Sequence, residues 1–415
     1  MKILQLCKKF PYPLKDGESL AVTYLSKALN ELGCEVTLLS MNTTKHFCDL
    51  TALPNHYNHY TAIHTALVDN RIRWKDAFLN LFSKQSYHVS RFVSKEFQTM
   101  LIRLLKTQNF DVIQLETLYL APYLPIIRKY SQAPIVMRAH NIEHEIWERV
   151  ADNSQFIPLK WYLKLITNKL KKYEIARLQD YDLLVAITKR DLNLYRKLGY
   201  KKSAVVTPVG IDGKNYIPNY ETFQQIPSIS FIGALDWIPN QEALEWFLQK
   251  VWLNLHTKYP KLTLHIAGRN APKSILNLHI PQVVVHGEVA DAKAFINQHP
   301  IMIVPLLSGS GIRVKILEGM ALGRVVITTS IGLEGINAMN GREIMVADSA
   351  EAFANCIETC LEHHDKLEKI GQQARKLIEY EFDNLHIAKK LLKSYKKLLE
   401  KAESNSKNKV AKVSM

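Results

Sequence analysis

Cysteine is scarce. The five in this 415-residue chain (Cys7, Cys34, Cys48, Cys356 and Cys360) are odd in number and scattered, which excludes a disulfide framework and places the chain in a reducing compartment. Cys356 and Cys360 lie four apart inside a helical pattern, and no second Cys/His cluster supplies further metal ligands. Long apolar runs are missing as well. A membrane-spanning helix needs about 18 uncharged apolar residues, whereas the seven from Ile301 to Leu307 already include Pro305. The opening Met1-Lys-Ile-Leu-Gln-Leu-Cys-Lys-Lys-Phe10 does not read as a secretory signal, because Lys8 and Lys9 interrupt any apolar core. The expectation is a cytoplasmic protein. Acidic residues are also few, 39 against 54 Lys plus Arg, for a net charge of +15.

What is present is ordinary globular composition, 47% hydrophobic and 22% charged, too apolar for disorder. At roughly 100–200 residues per domain, the length suggests two. The excess charge is uneven. His386–Met415 holds nine Lys and two Glu, and Lys160–Asp180 holds six Lys or Arg against two acids. Such stretches are solvated helix faces and a tail of disordered composition, or they meet an anionic surface. No nucleic-acid-binding module accompanies them, so a nucleic acid is not expected as a partner, and peripheral contact with the inner face of a membrane is the sharper reading.

Short β-branched runs alternate with helical patterns along the chain. Strands are expected at Lys2–Leu6, Glu35–Ser40, Asp111–Leu115, Pro134–Ala139, Leu183–Ile187 and Ala204–Thr207, and again at Ile229–Leu235, Leu262–Ala267, Val283–His286, Ile301–Pro305, Val325–Thr328 and Ile344–Val346. Alternation of this kind means parallel sheets covered on both faces. A dozen strands fit two sheets better than one. The expected fold is therefore α/β, with two Rossmann-like doubly wound domains, 1–210 and 226–383. The Pro- and Gly-rich stretch Gly210–Gln225 lies between them. An amphipathic helix at 384–400 is expected to cross back to the first domain, followed by a disordered basic tail at 401–415.

The most informative segment is Pro305-Leu-Leu-Ser-Gly-Ser-Gly-Ile-Arg-Val-Lys-Ile-Leu-Glu-Gly-Met-Ala-Leu-Gly323: a strand end, a glycine-rich turn and a helix start. In an open α/β sheet this is the carboxyl edge, where ligands bind. Gly309 and Gly311 let backbone approach a ligand, and the first-turn amides suit phosphate. Arg313 and Lys315 add charge able to neutralise a diphosphate without a metal, and Glu318 could accept hydrogen bonds from a ribose diol. Glu116 follows a strand and either touches a substrate or caps the next helix.

This segment resembles the nucleotide-sugar site of retaining glycosyltransferases of family 4, which have the GT-B fold of two Rossmann-like domains facing a cleft and a donor domain like that of glycogen synthase. Two glutamates separated by seven residues are frequent there. Glu318 matches the second, the ribose ligand, and Ser310 stands at the first, which contacts the donor hexose. Ser230-Phe-Ile-Gly-Ala-Leu-Asp-Trp-Ile-Pro-Asn240 resembles the family's donor-domain glycine turn, which would bring Gly233 near the diphosphate. Val285-His-Gly-Glu-Val289 resembles the loop whose backbone, around Gly287, meets the base. Ile266-Ala-Gly-Arg269 matches the next strand end, where Arg269 points at the site or caps the sheet. In the first domain, Lys15-Asp-Gly-Glu-Ser-Leu20 stands at the family's first glycine turn, so that Gly17 and then Glu18 face the cleft. Arg138-Ala-His-Asn-Ile-Glu-His144 resembles the strand-end histidine beside the donor sugar, here His140.

The resemblance implies hexose transfer, with retention, from a UDP- or GDP-sugar to a hydroxyl acceptor in cell-surface polysaccharide or lipid-linked glycan assembly. Arg313, Lys315 and His140 would be catalytic, Glu116 and Glu18 acceptor-side, and neither cofactor nor metal is expected. A nucleotide-sugar epimerase or hydrolase on the same fold, or a non-catalytic nucleotide-sugar-binding module, are the alternatives.

Overall fold

The computed structural model describes residues 1–413 apart from 15, 55–56, 72, 74–75, 77–78, 84, 155, 225–227 and 310. The chain forms two compact units. Unit 1 comprises Met1–Gly210 and the chain from Asn384 onward; unit 2 is Ile211–Asp383.

Unit 1 is built on a seven-stranded sheet of β1 (Lys2–Cys7), β2 (Glu35–Thr43), β3 (Ala62–Val68), β4 (Val112–Leu115), β5 (Ile135–Ala139), β6 (Leu183–Ala186) and β7 (Ser203–Val206), in the order β3-β2-β1-β4-β5-β6-β7. Unit 2 has six strands: β8 (Ser228–Ile232), β9 (Thr263–Ala267), β10 (Val283–Gly287), β11 (Ile301–Val304), β12 (Val325–Thr328) and β13 (Met345–Val346), in the order β10-β9-β8-β11-β12-β13. Neighbouring strands pair parallel in both sheets. Strands covered on both faces must be apolar throughout, and β11 (Ile-Met-Ile-Val) and β12 (Val-Val-Ile-Thr) are buried at every position. Strand order reverses between β1 and β4 and again between β8 and β11, the two places where an open sheet leaves a crevice at its carboxyl edge.

The sequence patterning misses β3. This edge strand lies beyond β2 and is only partly buried, and the adjacent His64 and Thr65 break its apolar run.

Six helices matter below: α1 (Gly17–Glu31), α2 (Glu143–Asn153), α3 (Ile157–Arg177), α4 (Ile238–Phe247), α5 (Val314–Ala321) and α6 (Asn384–Val413). Asp16 caps α1 by accepting from the Ser19 amide at 3.0 Å. The apolar stripe of α1, with Val22, Leu25, Ala28 and Leu29, packs with Leu391 and Tyr395 of α6 in one core. The helix continues to Val413 through the stretch whose composition reads as a tail; Lys and Glu favour helix once a packed first half has nucleated it.

Gly210–Gln225 is not a free linker. Tyr216 is fully buried and Phe223 nearly so. Arg324 donates to Thr222 Oγ1 (2.7 Å) and to the Asn219 carbonyl (2.8 Å). Unit 2 therefore begins at Ile211 rather than 226. The apolar stripe of α3 is likewise occupied: Leu163, Ile166 and Ala151 of α2 form a small core, which leaves fewer of its residues for a membrane than the sequence suggests.

Leu391 has no exposed surface, so Leu391→Ala removes a core side chain without room to collapse. Urea unfolding is expected to show a loss of about 2–5 kcal/mol; a loss below about 1 kcal/mol would mean that α6 is not part of the core.

Candidate functional site

In unit 2 the loop after β11 carries Gly309 and Gly311 at φ of 124° and 75°, conformations that strain any residue with a Cβ. The turn lets Arg313 fold back, so that Nη1 donates to the Gly311 carbonyl. A Cβ on Gly309 would meet Arg313 Nη2 at 3.0 Å. Arg313 is thus buried against the turn and stands at the N-cap position of α5, without a side-chain capping bond. Ser310 lies outside the described residues.

Lys315 and Glu318 are three residues apart on α5 and so share a face. Lys315 Nζ donates to Asn240 Oδ1 at 2.9 Å and to the Ile232 carbonyl at 3.3 Å, and sits 5.1 Å from the Phe231 ring centroid. Burial, with the Arg313 guanidinium as a second cause, brings its ammonium down to about 7. Gly233, just after β8, leaves the space this requires: a Cβ there would lie 2.9 Å from Asn240 Nδ2 and 3.2 Å from Lys315 Nζ. Asn240 also donates from Nδ2 to the Ala234 carbonyl at 2.8 Å, which fixes the turn.

Glu318 accepts from the Tyr216 hydroxyl at 2.9 Å. Burial raises its carboxyl, opposed by that hydrogen bond and by Lys293, whose Nζ lies 4.7 Å from the Tyr216 ring centroid. Gly287, at φ 67°, ends β10, and its carbonyl accepts from the Gly268 amide at 2.7 Å. Arg269 follows β9, with its Nε buried and without a hydrogen-bond partner. Unit 2 thus gathers Gly233, Lys315 and Asn240, with Glu318 on the same helix face as Lys315.

In unit 1, Glu116 is not at the surface. It is fully buried at the end of β4 and accepts from His140 Nε2 (2.8 Å), Arg138 Nη1 (3.2 Å), Gln5 Nε2 (2.5 Å) and Gln114 Nε2. Burial alone would raise its carboxyl, but Arg138 and His140 outweigh it and hold the group at about 2. Through the Nε2 bond Glu116 holds the ring of His140. Gln5 and Gln114 face each other across β1 and β4, and the Tyr395 hydroxyl of α6 donates to Gln114 Oε1.

The stretch after His140 is held from below by Glu174 of α3. This carboxylate accepts from the amides of Glu143 (3.4 Å) and His144 (3.2 Å), from His144 Nδ1 (2.7 Å) and from the Tyr195 hydroxyl (3.0 Å). Gly17 is the first residue of α1. Glu18 lies 3.2 Å from Lys8 Nζ and 3.8 Å from Lys9 Nζ; burial opposes ionisation there, and the two lysines lower its carboxyl all the same.

Sequence reasoning missed Gln5, Gln114, Asn240, Tyr216 and Glu174. For the two glutamines a signal existed, since an amide in the middle of an apolar parallel strand must find a buried partner. Among the described residues, no three His, Cys, Asp or Glu side chains gather as metal ligands, and no helix is long and apolar enough to cross a membrane.

Residues 16–214 match the family model described as Glycosyltransferase Family 4, and residues 226–363 the one described as Glycosyl transferases group 1. A Klebsiella pneumoniae protein described as an uncharacterized 44.6 kDa protein in the cps region is 24% identical over 276 residues, which span 62% of this chain and 67% of that protein. Among solved structures, a sucrose-phosphate synthase from Thermosynechococcus elongatus matches at TM-score 0.72 and 15% identity, covering 96% of this chain and 100% of its own. Anabaena HepE in complex with UDP-glucose matches at 0.64 and 16%, covering 96% and 100%. The pneumococcal O-GlcNAc transferase GtfA, in complex with UDP and GlcNAc, matches at 0.65 and 12%, covering 96% and 99%. With a glycosyltransferase domain model matching each half of the chain and such structures matching along nearly its whole length, the chain has the GT-B fold of two parallel-sheet α/β domains.

Proposed function

We propose that the protein transfers a hexose from a UDP- or GDP-sugar to a hydroxyl acceptor with retention of configuration. The observation that carries this reading is the assembly of Gly233, Asn240, Lys315 and Glu318 beside the β8/β11 reversal. It supplies bare backbone, a lysine and a carboxylate where a nucleoside diphosphate needs them. Glu318, oriented by Tyr216, receives the ribose diol, and main chain around Gly287 meets the base. In the reaction the bond from the sugar's anomeric carbon to the diphosphate oxygen breaks, and its electron pair stays with the diphosphate. The acceptor oxygen bonds the anomeric carbon from the same face, and its proton passes to the departing diphosphate. The chain's part is positioning and stabilisation of the growing negative charge, by Lys315 and Arg313 in place of a metal. His140, held by Glu116, is assigned to the sugar. The UDP-glucose complex of HepE supports a nucleotide-sugar donor, and the relative in a cps region is consistent with the proposed role in surface polysaccharide or lipid-linked glycan assembly.

A thermal-shift panel of nucleotide sugars identifies the donor, since a ligand of the native state raises apparent stability by mass action. Glu318→Ala is expected to weaken donor binding more than tenfold, about 1.5–3 kcal/mol for a charged hydrogen bond, and to lose most transfer while remaining folded. An Ala variant that binds and turns over the donor like the parent refutes the assignment.

Ala variants of Arg313 and Lys315 are expected to fall mainly in kcat, because charge on the diphosphate grows in the transition state; a change in KM alone would limit them to ground-state binding. The ammonium of Lys315 titrates near 7, so at pH 8 it is largely neutral and a bound diphosphate restores its proton. Calorimetry of UDP or GDP binding at pH 8, in buffers of different ionisation enthalpy, should show proton uptake that Lys315→Met abolishes. Equal uptake in both would place the titrating group elsewhere.

Peripheral membrane contact is proposed for a narrower surface than the sequence suggests. Phe156, Ile157, Leu159 and Trp161 stay exposed at the start of α3, beside Lys160 and Lys164, as an interfacial anchor on anionic lipid requires. Co-sedimentation with anionic but not neutral vesicles, fading with salt and lost in Trp161→Ala, is the expected result. No sedimentation with anionic vesicles at low salt would sink it.

A further inference from the structure

The donor reading leaves one large feature of unit 1 without a role. The carboxyl ends of β1, β2 and β3 open into a pocket of about 590 Å³. Its lining includes five permanent cations, Lys8, Lys9, Lys45, Arg71 and Arg91, against one carboxylate, Glu18. Nearby acids neutralise only part of this charge. Lys8 shares Glu18 with Lys9, Lys9 lies 2.7 Å from Asp16, and Arg71 lies 2.9 Å from Asp69. Glu143, which accepts from the Tyr119 hydroxyl at 2.8 Å, also acts on Lys8; even with it counted, four acids face five cations and a positive excess remains.

The unbalanced cations have a structural address. Among the described residues, neither Lys45 nor Arg91 forms an ion pair with a carboxylate. Lys45 is exposed at the end of β2. Arg91 is instead fixed by aromatic rings, with its guanidinium carbon 5.5 Å from the Tyr87 centroid and 5.9 Å from that of Phe92. Its Nε is buried without a hydrogen-bond partner, and among the described residues its one direct bond is a long one of 3.4 Å from Nη1 to the Asn70 carbonyl. A guanidinium held flat by rings, with donors unused, is preorganised for an oxyanion. Like charges gathered in a concave site repel one another until an anion enters. Phe92 and Tyr119, 4.9 Å apart between centroids, add an apolar wall on the same pocket. The combination of several cations and an aromatic face suits a phosphate ester whose organic part is a sugar or a prenyl chain.

We propose that this pocket receives the phosphate or diphosphate of a phosphorylated acceptor, so that the hydroxyl accepting the hexose belongs to a phosphate ester rather than to a neutral glycan. This rests on the glycosyl-transfer reading, in which the donor diphosphate occupies unit 2 and leaves the unit 1 cations for the second substrate.

The test uses the full chain held at saturating UDP and GDP, so that the donor site is filled. It is titrated by calorimetry with glucose 6-phosphate and with farnesyl diphosphate, each against its neutral counterpart, glucose or farnesol. At least one phosphorylated probe is expected to bind, its neutral counterpart is not, and the affinity should fall as salt rises. Binding of glucose 6-phosphate alone assigns a soluble sugar phosphate, and binding of farnesyl diphosphate alone a lipid-linked diphosphate. Lys45→Glu, at an exposed position, and Arg91→Gln should each weaken the bound probe by roughly tenfold or more while UDP or GDP affinity stays at the parent's value. Should Arg91→Gln fail to fold, Lys45→Glu decides alone. Absence of binding by both probes at low salt, or unchanged affinity in Lys45→Glu, overturns the proposal. Failure of UDP and GDP to bind would count against the donor reading instead, and the dependence of the phosphate probes on Lys45 would still report on the pocket.

Discussion

Parallel strand pairing is the constraint from which the rest of this structure follows. A strand paired in parallel on both sides and covered by helices can carry only apolar side chains along its length, so polar chemistry is driven to the strand ends. Each reversal of strand order then separates two adjacent loops and opens a crevice. In unit 1 the groups so delivered are Lys8 and Lys9 after β1, Lys45 after β2, Glu116 after β4 and His140 after β5. In unit 2 they are Gly233 after β8 and the glycine-rich turn with Arg313 after β11. None of these side chains was free to sit elsewhere on its strand.

The exceptions are informative. Gln5 and Gln114 lie within β1 and β4, as register partners at the order reversal of unit 1, and both donate to Glu116. A buried carboxylate is tolerated only when its lone pairs are met, and here strand amides, Arg138 and His140 meet them together. Tyr395 extends the same network into α6. The orientation of His140 is thereby tied to the packing of the last helix on the sheet. In unit 2, Tyr216 plays the corresponding part for Glu318, and it comes from the stretch that reads as linker.

This division explains what the sequence discloses. Twelve of the thirteen strands are visible as short β-branched runs, the central ones because burial on both faces leaves a composition that can be recognised locally; β3 (Ala-Ile-His-Thr-Ala-Leu-Val) has its β-branched residues interrupted by His64, Ala66 and Leu67. The glycine-rich turn is legible for the same reason, since positive φ at Gly309 and Gly311 demands those residues. The supporting shell is not local. Glu116 and Gln5 are 111 residues apart, Lys315 and Asn240 are 75, and Glu318 and Tyr216 are 102. No periodicity within a window of one helix or strand encodes such pairs, and the charge surplus around Arg91 emerges only when three strand ends converge.

The return of α6 to unit 1 has a bearing on how the protein comes to be made. Unit 2 is continuous in the chain, entered at Ile211 and left at Asp383, which bridge one another as neighbouring backbone. Unit 1 is interrupted, and its core on the α1 side lacks Ala388, Leu391 and Tyr395 until the final helix is available. During synthesis the unit 1 core that runs from Leu4 to Tyr200 contains no residue of α6, whereas the one on the α1 side, with its stripe uncovered, waits for the last thirty-odd residues to emerge after unit 2 is complete. A chain stopped short of them would hold a finished second unit on an unfinished first, with an apolar surface open to aggregation or to chaperones.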